Sequence, residues 1–264
     1  MSEPVVLCSV DARGIARVTL NRPDKNNAYN AELVQALLET FGGLASDPRV
    51  RVVVIRGNGR HFQAGADLNW LSAIAAQDEA ANLETSRRTA LVVRGLNEFP
   101  KPTLALVHGA CIGGGTGVAA ACDVVIATRD ASFAISEARW GLFASVIFPQ
   151  LNAAIGERNV RRYALTCERF DAAEAQRIGL VHVLCEPGEL DAAAAPILEA
   201  LLIAGPKAVA QTKRDVMRCA GSIMDEALFA ELVATHAAKR QTAEAAEGFA
   251  SFVEKRDPAW YPKA

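Results

Sequence analysis

Two glycine-rich turns are the features of this sequence that could do chemistry through the backbone. The stretch CIGGGTGVAAACD, residues 111–123, follows an apolar run, and its three consecutive glycines leave the backbone open to close approach. The stretch QAGAD, residues 63–67, follows another apolar run and ends at Asp67, a residue type that begins helices. Backbone N–H groups are free at the start of a helix. Two such turns beside one sheet can direct two N–H donors at one oxygen, which is an oxyanion hole.

The glycine turn also fits other interpretations. Gly115, Gly117 and Ala120 satisfy the G-x-G-x-x-A pattern of dinucleotide sites. However, the helix after the turn has only about two turns before the next apolar run, which is short for a parallel crossover. No Gly-Lys-Ser/Thr follows, so a Walker A phosphate loop is excluded. For an isolated glycine cluster, close packing of a helix on a strand is the commonest role. The second turn at residues 63–67 favours the oxyanion hole.

Glu137 is the candidate for proton transfer. It stands among apolar residues such as Phe133 and Trp140, and burial raises the pKa of a carboxyl group towards neutrality. A lone glutamate is usually a solvated loop residue, so both interpretations stay open at this point. His61 and His108 flank the two turns, but a histidine in a turn more often satisfies backbone groups.

Strand and helix patterns alternate along the part of the chain that must position these residues. Residues 5–10 and 15–20 form a hairpin pattern, and a helix that Asn30 caps follows and closes at Gly42-Gly43. Later in the chain, Asp171 and Glu174 form a capping box that begins another helix. The further alternation predicts an α/β fold with a mainly parallel sheet. From about residue 190 the chain is Ala-rich and helical, so we expect a core of residues 1–190 and a helical region of residues 191–264. These helices must bury their apolar faces on the sheet or on a neighbouring subunit.

The composition excludes several classes of partner. Lys and Arg number 28 against 30 Asp and Glu, which leaves a net charge of −2 and no basic field for nucleic acid or anionic membranes. We therefore expect a small substrate. The six cysteines are scattered without a C-x-x-C pair, and no apolar leader or membrane-spanning run is present. These features predict reduced thiols in a cytoplasmic protein, without a metal site or a membrane contact.

Five motifs stand in a fixed order over nearly the whole chain. They are LNRPDKNNAYN (20–30), FQAGADL (62–68), HGACIGGGTGVAAACDVVIAT (108–128), FAISEARWGL (133–142) and FVEKRDPAW (252–260). Together they resemble the enoyl-CoA hydratase/isomerase, or crotonase, superfamily. The resemblance implies an α/β fold of stacked ββα units with a C-terminal helical region, a homotrimer or a dimer of trimers, and an acyl-CoA thioester substrate. Coenzyme A is then part of the substrate, and no other cofactor is implied.

The resemblance also implies roles for individual residues. The N–H groups of Ala66 and Gly114 hold the thioester oxygen, and Glu137 is the acid/base. The segments Lys25–Ala28 and Ala64–Leu68 lie along the CoA. Within these segments the expected contacts are Lys25, Ala28, Ala64, Asp67 and Leu68. Phe252 and Lys255, on the last helix, match positions that reach CoA, often across a subunit boundary.

This sequence departs from the family hydratases at Gly117, where they carry a second glutamate. We expect the space and the charge removed there to admit a substrate that brings its own bulk and carboxylate, since two nearby anions would repel. Arg139 is the candidate partner for that carboxylate, although a pairing with a surface acid is equally reasonable.

The stretch SEARWGLFASVIFPQLNAAIG, residues 136–156, is most similar to hydratases of 3-substituted glutaconyl-CoA esters in leucine or acyclic terpene breakdown. We therefore expect a hydratase of such an ester. Two alternatives stay open at this stage. A single carboxylate also suits an isomerase that moves a double bond, and loss of one glutamate permits a non-catalytic acyl-CoA-binding protein on the same fold.

Overall fold

A six-stranded sheet forms the centre of the computed structural model, which describes residues 3–262. The strands are β1 (Val6–Val10), β2 (Ile15–Leu20), β3 (Val52–Gly57), β4 (Thr103–Val107), β5 (Ala110–Ile112), β6 (Val124–Thr128), β7 (Ser132–Ala134), β8 (Phe170–Asp171) and β9 (Val183–Cys185). The large sheet has the order β1-β2-β3-β4-β6-β9. Its β1–β2 pair is the antiparallel hairpin that the sequence predicts, and its other neighbouring pairs are parallel. The predicted mainly parallel sheet is thus confirmed.

A second, three-stranded sheet has the order β5-β7-β8. Its β5–β7 pair is parallel, with Ala110 opposite Ser132 and Ile112 opposite Ala134. Because β5 precedes the glycine turn and β7 precedes Glu137, this pairing brings the two candidate segments side by side.

The helices surround the two sheets. They are α1 (Ala31–Ser46), α2 (Leu68–Ala75), α3 (Glu79–Asn97), α4 (Gly114–Ala121), α5 (Phe148–Thr166), α6 (Ala172–Arg177), α7 (Leu190–Ile203), α8 (Pro206–Cys219), α9 (Glu226–Lys239) and α10 (Ala243–Glu254). Side chains cap the N-termini of several of these helices. The Asn30 side-chain oxygen accepts a hydrogen bond from Leu33 N (2.9 Å), and the Asp171 carboxylate accepts one from Glu174 N (2.8 Å). Both are the caps that the sequence predicts.

The large sheet is buried on both faces, as expected for parallel strands. On one face Val53 and Ile55 join the main core with helices α1, α3, α4 and α5. On the other face Val52 and Val54 join a second cluster, which includes Leu198 of α7. Helix α7 therefore packs directly on the sheet.

Helix α1 does not end at Gly42-Gly43, so that prediction is wrong. It continues to Ser46 because Leu44, which is 6% exposed, packs into the main core. Packing outweighs the low helix propensity of two glycines.

The last two helices expose large apolar side chains. These are Phe229 and Val233 on α9, and Phe249, Phe252 and Val253 on α10. Among the residues that the structure describes, no single helix is long and apolar enough to cross a membrane. The pair α7 and α8 reaches that length and composition only together, with a bend of 104° between them.

Candidate active site

The glycine turn is shaped by a backbone conformation that favours glycine. Gly113 has φ 55° and ψ −120°, and its N–H donates to Ala134 O of β7 at 2.8 Å. A positive φ of this kind is strained for residues with a side chain. Gly114 follows as the first residue of α4. The turn therefore presents the N–H of Gly114 at a helix start, where no intrahelical acceptor exists.

The second turn is held between β5 and Tyr29. Gln63 N donates to Ala110 O (3.1 Å), and its carbonyl accepts from Ile112 N (2.9 Å). Further along, Tyr29 N donates to Gly65 O and Tyr29 O accepts from Asp67 N, each at 2.9 Å. These bonds use the backbone groups on both sides of Ala66 and leave its own N–H directed elsewhere.

Within residues 3–262, neither Ala66 N–H nor Gly114 N–H has a hydrogen-bond acceptor. Both residues line internal space that a ligand could enter. Two free donors from separate turns are what a carbonyl oxygen needs when it gains negative charge. The predicted pair of donors is thus available in the structure.

Two adjacent spaces make up the site, and Tyr29 and Glu137 line both of them. The outer cleft, about 1760 Å³, is lined by Ala64, Gly65 and Ala66 of the second turn and by basic residues, including Arg60 and Arg169. The inner chamber, about 80 Å³, has a mainly apolar wall. That wall includes Val34, Leu37, Val92, Val93, Val118 and Ile147. An acyl-CoA fits this division, because its phosphates are anionic and its acyl group is apolar.

Glu137 faces both spaces. It is the first residue of a short 3-10 helix, Glu137–Trp140, which follows β7. A Cβ atom at position 113 would lie only 2.8 Å from Glu137 Oε1. The carboxyl group fits there because Gly113 has no side chain. Its Oε2 is buried without a hydrogen-bond partner among the described residues. Burial raises the pKa of this carboxyl above its ordinary value of 4.5. A carboxyl group in this state can accept and donate protons at a higher pH than an ordinary glutamate.

Tyr29 is a site residue that sequence reasoning missed. Its ring packs against Gly114, since a Cβ there would lie 2.6 Å from Tyr29 Cε1. The ring also meets Trp70 edge to face, at 5.6 Å between centroids. Burial and the neighbouring charge of Glu137 raise the pKa of Tyr29 to about 12. Tyr29 therefore separates and orients the two turns, and its aromatic side chain inside the motif at residues 20–30 was the available signal.

The structure contradicts the interpretation of Gly117 as space left for the substrate. Gly117 is buried in α4 and lines neither the outer cleft nor the inner chamber. A Cβ at this position would lie 2.2 Å from Ile147 Cγ2. Ile147, which is 2% exposed, occupies the place that a longer side chain would take. Among the described residues, Glu137 is the one acidic residue that lines the inner chamber, and Ile147 fills the space beside Gly117.

The residues predicted to contact CoA fall into three groups. Ala64, Leu68 and Arg139 line the outer cleft, and their contact with the substrate stays a prediction. Lys25, Ala28 and Asp67 lie outside its lining. The Asp67 carboxylate instead caps α2 and pairs with Arg22 at 3.2 Å. Phe252 and Lys255 lie on α10 and at its end, also away from the cleft of their own chain. Their contact with a neighbouring subunit's CoA stays a prediction.

The two turn histidines have backbone roles. His61 Nδ1 accepts from Ala110 N at 3.0 Å, and burial, then Arg60 and His108, lower the pKa of His61. His108 Nε2 lies 2.8 Å from Gly59 O. Glu137 therefore has no competing histidine base from these positions. In the described part of the chain, no group of three or more His, Cys, Asp or Glu side chains could hold a metal ion.

The fold and the site together combine two backbone N–H groups without acceptors and one buried carboxyl group without a partner among the described residues. The family described as enoyl-CoA hydratase/isomerase matches residues 11–263. The chain belongs to this family.

Relatives with assigned activities include both hydratases and isomerases. The mevalonyl-coenzyme A hydratase of Aspergillus fumigatus is 32% identical over 97% of this chain and 94% of its own. The 2,3-dehydroadipyl-CoA hydratase of Escherichia coli is 33% identical over 91% of this chain and 92% of its own. The peroxisomal Δ3,5-Δ2,4-dienoyl-CoA isomerase of Arabidopsis thaliana is 33% identical, covering 77% of each chain. The chain is therefore an enzyme of the hydratase type, with isomerisation as the second activity of its family.

Solved structures confirm the fold. An enoyl-CoA hydratase from Shewanella pealeana superposes with a TM-score of 0.93 at 35% identity, over 97% of this chain and 96% of its own. An enoyl-CoA hydratase/isomerase from Marinobacter aquaeolei superposes with a TM-score of 0.91 at 30% identity, over 97% of this chain and 99% of its own. The predicted crotonase-like fold of ββα units with C-terminal helices is confirmed.

Proposed function

We propose that this enzyme adds water to a 3-branched 2-enoyl-CoA of glutaconyl type. The observation that carries the proposal is the single buried carboxylate of Glu137 beside two free backbone donors, with Ile147 packed against Gly117. One carboxylate must then handle both proton transfers of a hydration.

The reaction balances with Glu137 alone. The oxygen of water forms a bond to C3, and the C2=C3 electron pair moves towards C1 as the thioester oxygen becomes an enolate oxygen. Ala66 N–H and Gly114 N–H stabilise that oxygen. Glu137 accepts a proton from the water and returns it to C2, which restores the thioester and the carboxylate. The product is the 3-hydroxyacyl-CoA.

A branch at C3 explains how one carboxylate suffices. Alkyl groups stabilise positive charge that develops at C3 during attack, so the water requires less assistance from a base. The apolar wall of the inner chamber, with Val92 and Val118 among its residues, suits an alkyl branch of this kind. The mevalonyl group in the name of the Aspergillus relative is itself branched at C3, which supports a branched substrate for this chain.

The second substituent of C3 would carry the carboxylate towards the outer cleft. Arg139 lines that cleft, and none of the described acidic side chains forms an ion pair with it. A guanidinium can bind a carboxylate bidentately. The inner chamber offers no cation from the described residues, so we assign the alkyl branch to the chamber and the carboxylate to Arg139.

Three substrate esters distinguish the contribution of the C3 branch from that of the carboxylate. We expect 3-methylglutaconyl-CoA to be hydrated with the highest kcat/KM, since 3-methylcrotonyl-CoA lacks the carboxylate and crotonyl-CoA also lacks the branch. Arg139→Gln should lower kcat/KM for 3-methylglutaconyl-CoA by about 10- to 100-fold, the loss of one charged hydrogen-bond pair. It should leave 3-methylcrotonyl-CoA unchanged. Arg158→Gln is the matched control, because Arg158 is exposed and lies outside the cleft. A preference for crotonyl-CoA in the wild type would refute the proposal.

Isomerisation is the second candidate. A lone carboxylate can carry one proton between two carbons, and the Arabidopsis relative is named for such a reaction. Conversion of a 3-enoyl-CoA to its 2-enoyl isomer, without hydration of any of the three esters, would favour it. Binding of all these esters without turnover would indicate the acyl-CoA-binding alternative.

We also propose that the protein assembles as a homotrimer or a dimer of trimers. The exposed apolar side chains of α9 and α10 support this, since Phe229, Phe249 and Phe252 are each more than half exposed in a single chain. Light scattering after size exclusion tests it. A mass that matches one chain of 28.1 kDa would contradict assembly.

A further inference from the structure

Gln63 is a buried amide that the proposed mechanism does not yet use. Only 2% of its surface is exposed, and its backbone is fixed between Ala110 and Ile112. Its side-chain Oε1 has no hydrogen-bond partner among the described residues. A buried polar atom without a partner is costly. In the working enzyme a small polar molecule or group therefore completes this site.

The amide faces the same inner chamber as Glu137. A Cβ at Gly115 would lie 2.8 Å from Gln63 Oε1, and a Cβ at Gly113 would lie 2.8 Å from Glu137 Oε1. The amide and the carboxyl group thus pack against the two residues that flank Gly114, whose N–H is a donor to the thioester oxygen. Gly113, Gly114 and Gly115 have no side chains, which allows Glu137, Tyr29 and Gln63 to approach them closely.

The two side chains share a further property. Glu137 Oε2 is also buried and has no partner in the described part of the chain. Gln63 and Glu137 both line the chamber of about 80 Å³, whose wall is mainly apolar, and each carries a buried oxygen without a partner among the described residues. A water molecule needs two or more polar partners to be held in such a space.

We propose that Gln63 holds the water molecule that adds to C3; this proposal rests on the hydratase function above. The amide oxygen accepts one O–H of the water, and Glu137 accepts the other. The water oxygen then has a lone pair left to form the bond to C3. The amide neither gains nor loses a proton. Gln63 is a positioning residue, which supplies the second contact to water that the side chain at position 117 cannot make.

Two reactions of the same site distinguish this role from a structural one. Hydration of 3-methylglutaconyl-CoA needs the water, Glu137 and the two backbone donors. Exchange of the C2 proton of 3-methylbutanoyl-CoA for deuterium needs only Glu137 and the donors. Gln63→Met, which keeps the length of the side chain, should lower the kcat of hydration by about 10- to 100-fold. It should leave the rate of exchange within about twofold of wild type, and that unchanged rate also reports an intact site.

Gln150→Met is the matched control. Gln150 also has a buried side-chain Oε1 without a partner among the described residues, but it lines neither the outer cleft nor the inner chamber. We expect Gln150→Met to change neither reaction by more than about twofold. Gln63→Leu provides a second variant if the methionine substitution lowers the yield of folded protein.

Three outcomes would overturn the proposal. Hydration by Gln63→Met and Gln63→Leu at the wild-type rate would show that the amide does not hold the water. A parallel fall of hydration and exchange would show that Gln63 only supports the fold of the site. A wild type that exchanges the C2 proton but hydrates no ester would remove the hydratase function itself, and the proposal for Gln63 with it.

Discussion

Replacing Gly117 by alanine tests whether Ile147 fills the space that a side chain at position 117 would need. The added Cβ would lie 2.2 Å from Ile147 Cγ2 and 2.7 Å from Ile147 Cβ. Carbon atoms in contact prefer about 3.5–4.0 Å, so Ile147 must move by more than about 1 Å. Overpacking of this kind costs about 1–3 kcal/mol, and a contact with a Cβ atom belongs to the upper part of that range. Alanine recovers about 1 kcal/mol of helix propensity. We expect Gly117→Ala to lower the free energy of unfolding by about 1–2 kcal/mol.

A double-mutant cycle isolates the contact. Ile147→Ala alone should cost about 2–5 kcal/mol, because it leaves a cavity in the core. In the double variant, Ile147→Ala also removes the clash with the alanine at position 117. The loss in free energy of unfolding should therefore be about 2 kcal/mol smaller than the sum of the losses in the two single variants. Urea unfolding, followed by circular dichroism at one protein concentration, measures all four proteins.

Gly95→Ala is the control for the effect of alanine in a helix. Gly95 lies in α3, and a Cβ there meets nothing within 4 Å. It should raise the free energy of unfolding by up to about 1 kcal/mol. If Gly117→Ala stabilises the protein as Gly95→Ala does, or if the cycle shows no coupling, Ile147 does not fill that position and the reasoning is refuted.

Three further predictions concern the site. Glu137→Gln should lower hydration by about 10²- to 10⁴-fold while acyl-CoA affinity, measured by calorimetry, stays nearly unchanged; retention of half the activity would exclude Glu137 as the acid/base. The kcat/KM of the wild type should fall as the pH drops through the pKa of Glu137, because the carboxylate accepts the proton of water. Since burial raises this pKa, the fall should begin at a higher pH than for an ordinary glutamate, and an acid limb at or below pH 4.5 in a pH–rate profile would contradict it. Lys255→Ala should raise the KM for acyl-CoA at low salt and less so at high salt, since screening weakens a phosphate contact; an unchanged KM at both salt concentrations would remove Lys255 from the CoA site.

The sequence by itself determined the features that depend on local backbone preference. The β1–β2 hairpin, the caps at Asn30 and Asp171, and the parallel alternation could be predicted because each depends on residues close together in the chain. The two turns with Ala66 and Gly114 were recognisable for the same reason. Glu137 was placed near them by resemblance, and β5–β7 pairing explains how they meet.

Only the tertiary structure decided which side chains fill the space around those turns. Gly117 gave no sign that Ile147 would occupy its neighbourhood, and Gln63 gave no sign that its amide would be buried without a partner. Helix α1 likewise passes Gly42-Gly43 because Leu44 finds a place in the core. The physical reason is that packing and desolvation depend on contacts between distant segments, whereas caps and turns depend on hydrogen bonds within a few residues. In this protein the absence of a carboxylate at position 117 can be read from the sequence, whereas the position of Ile147 beside it depends on the packing of the folded core.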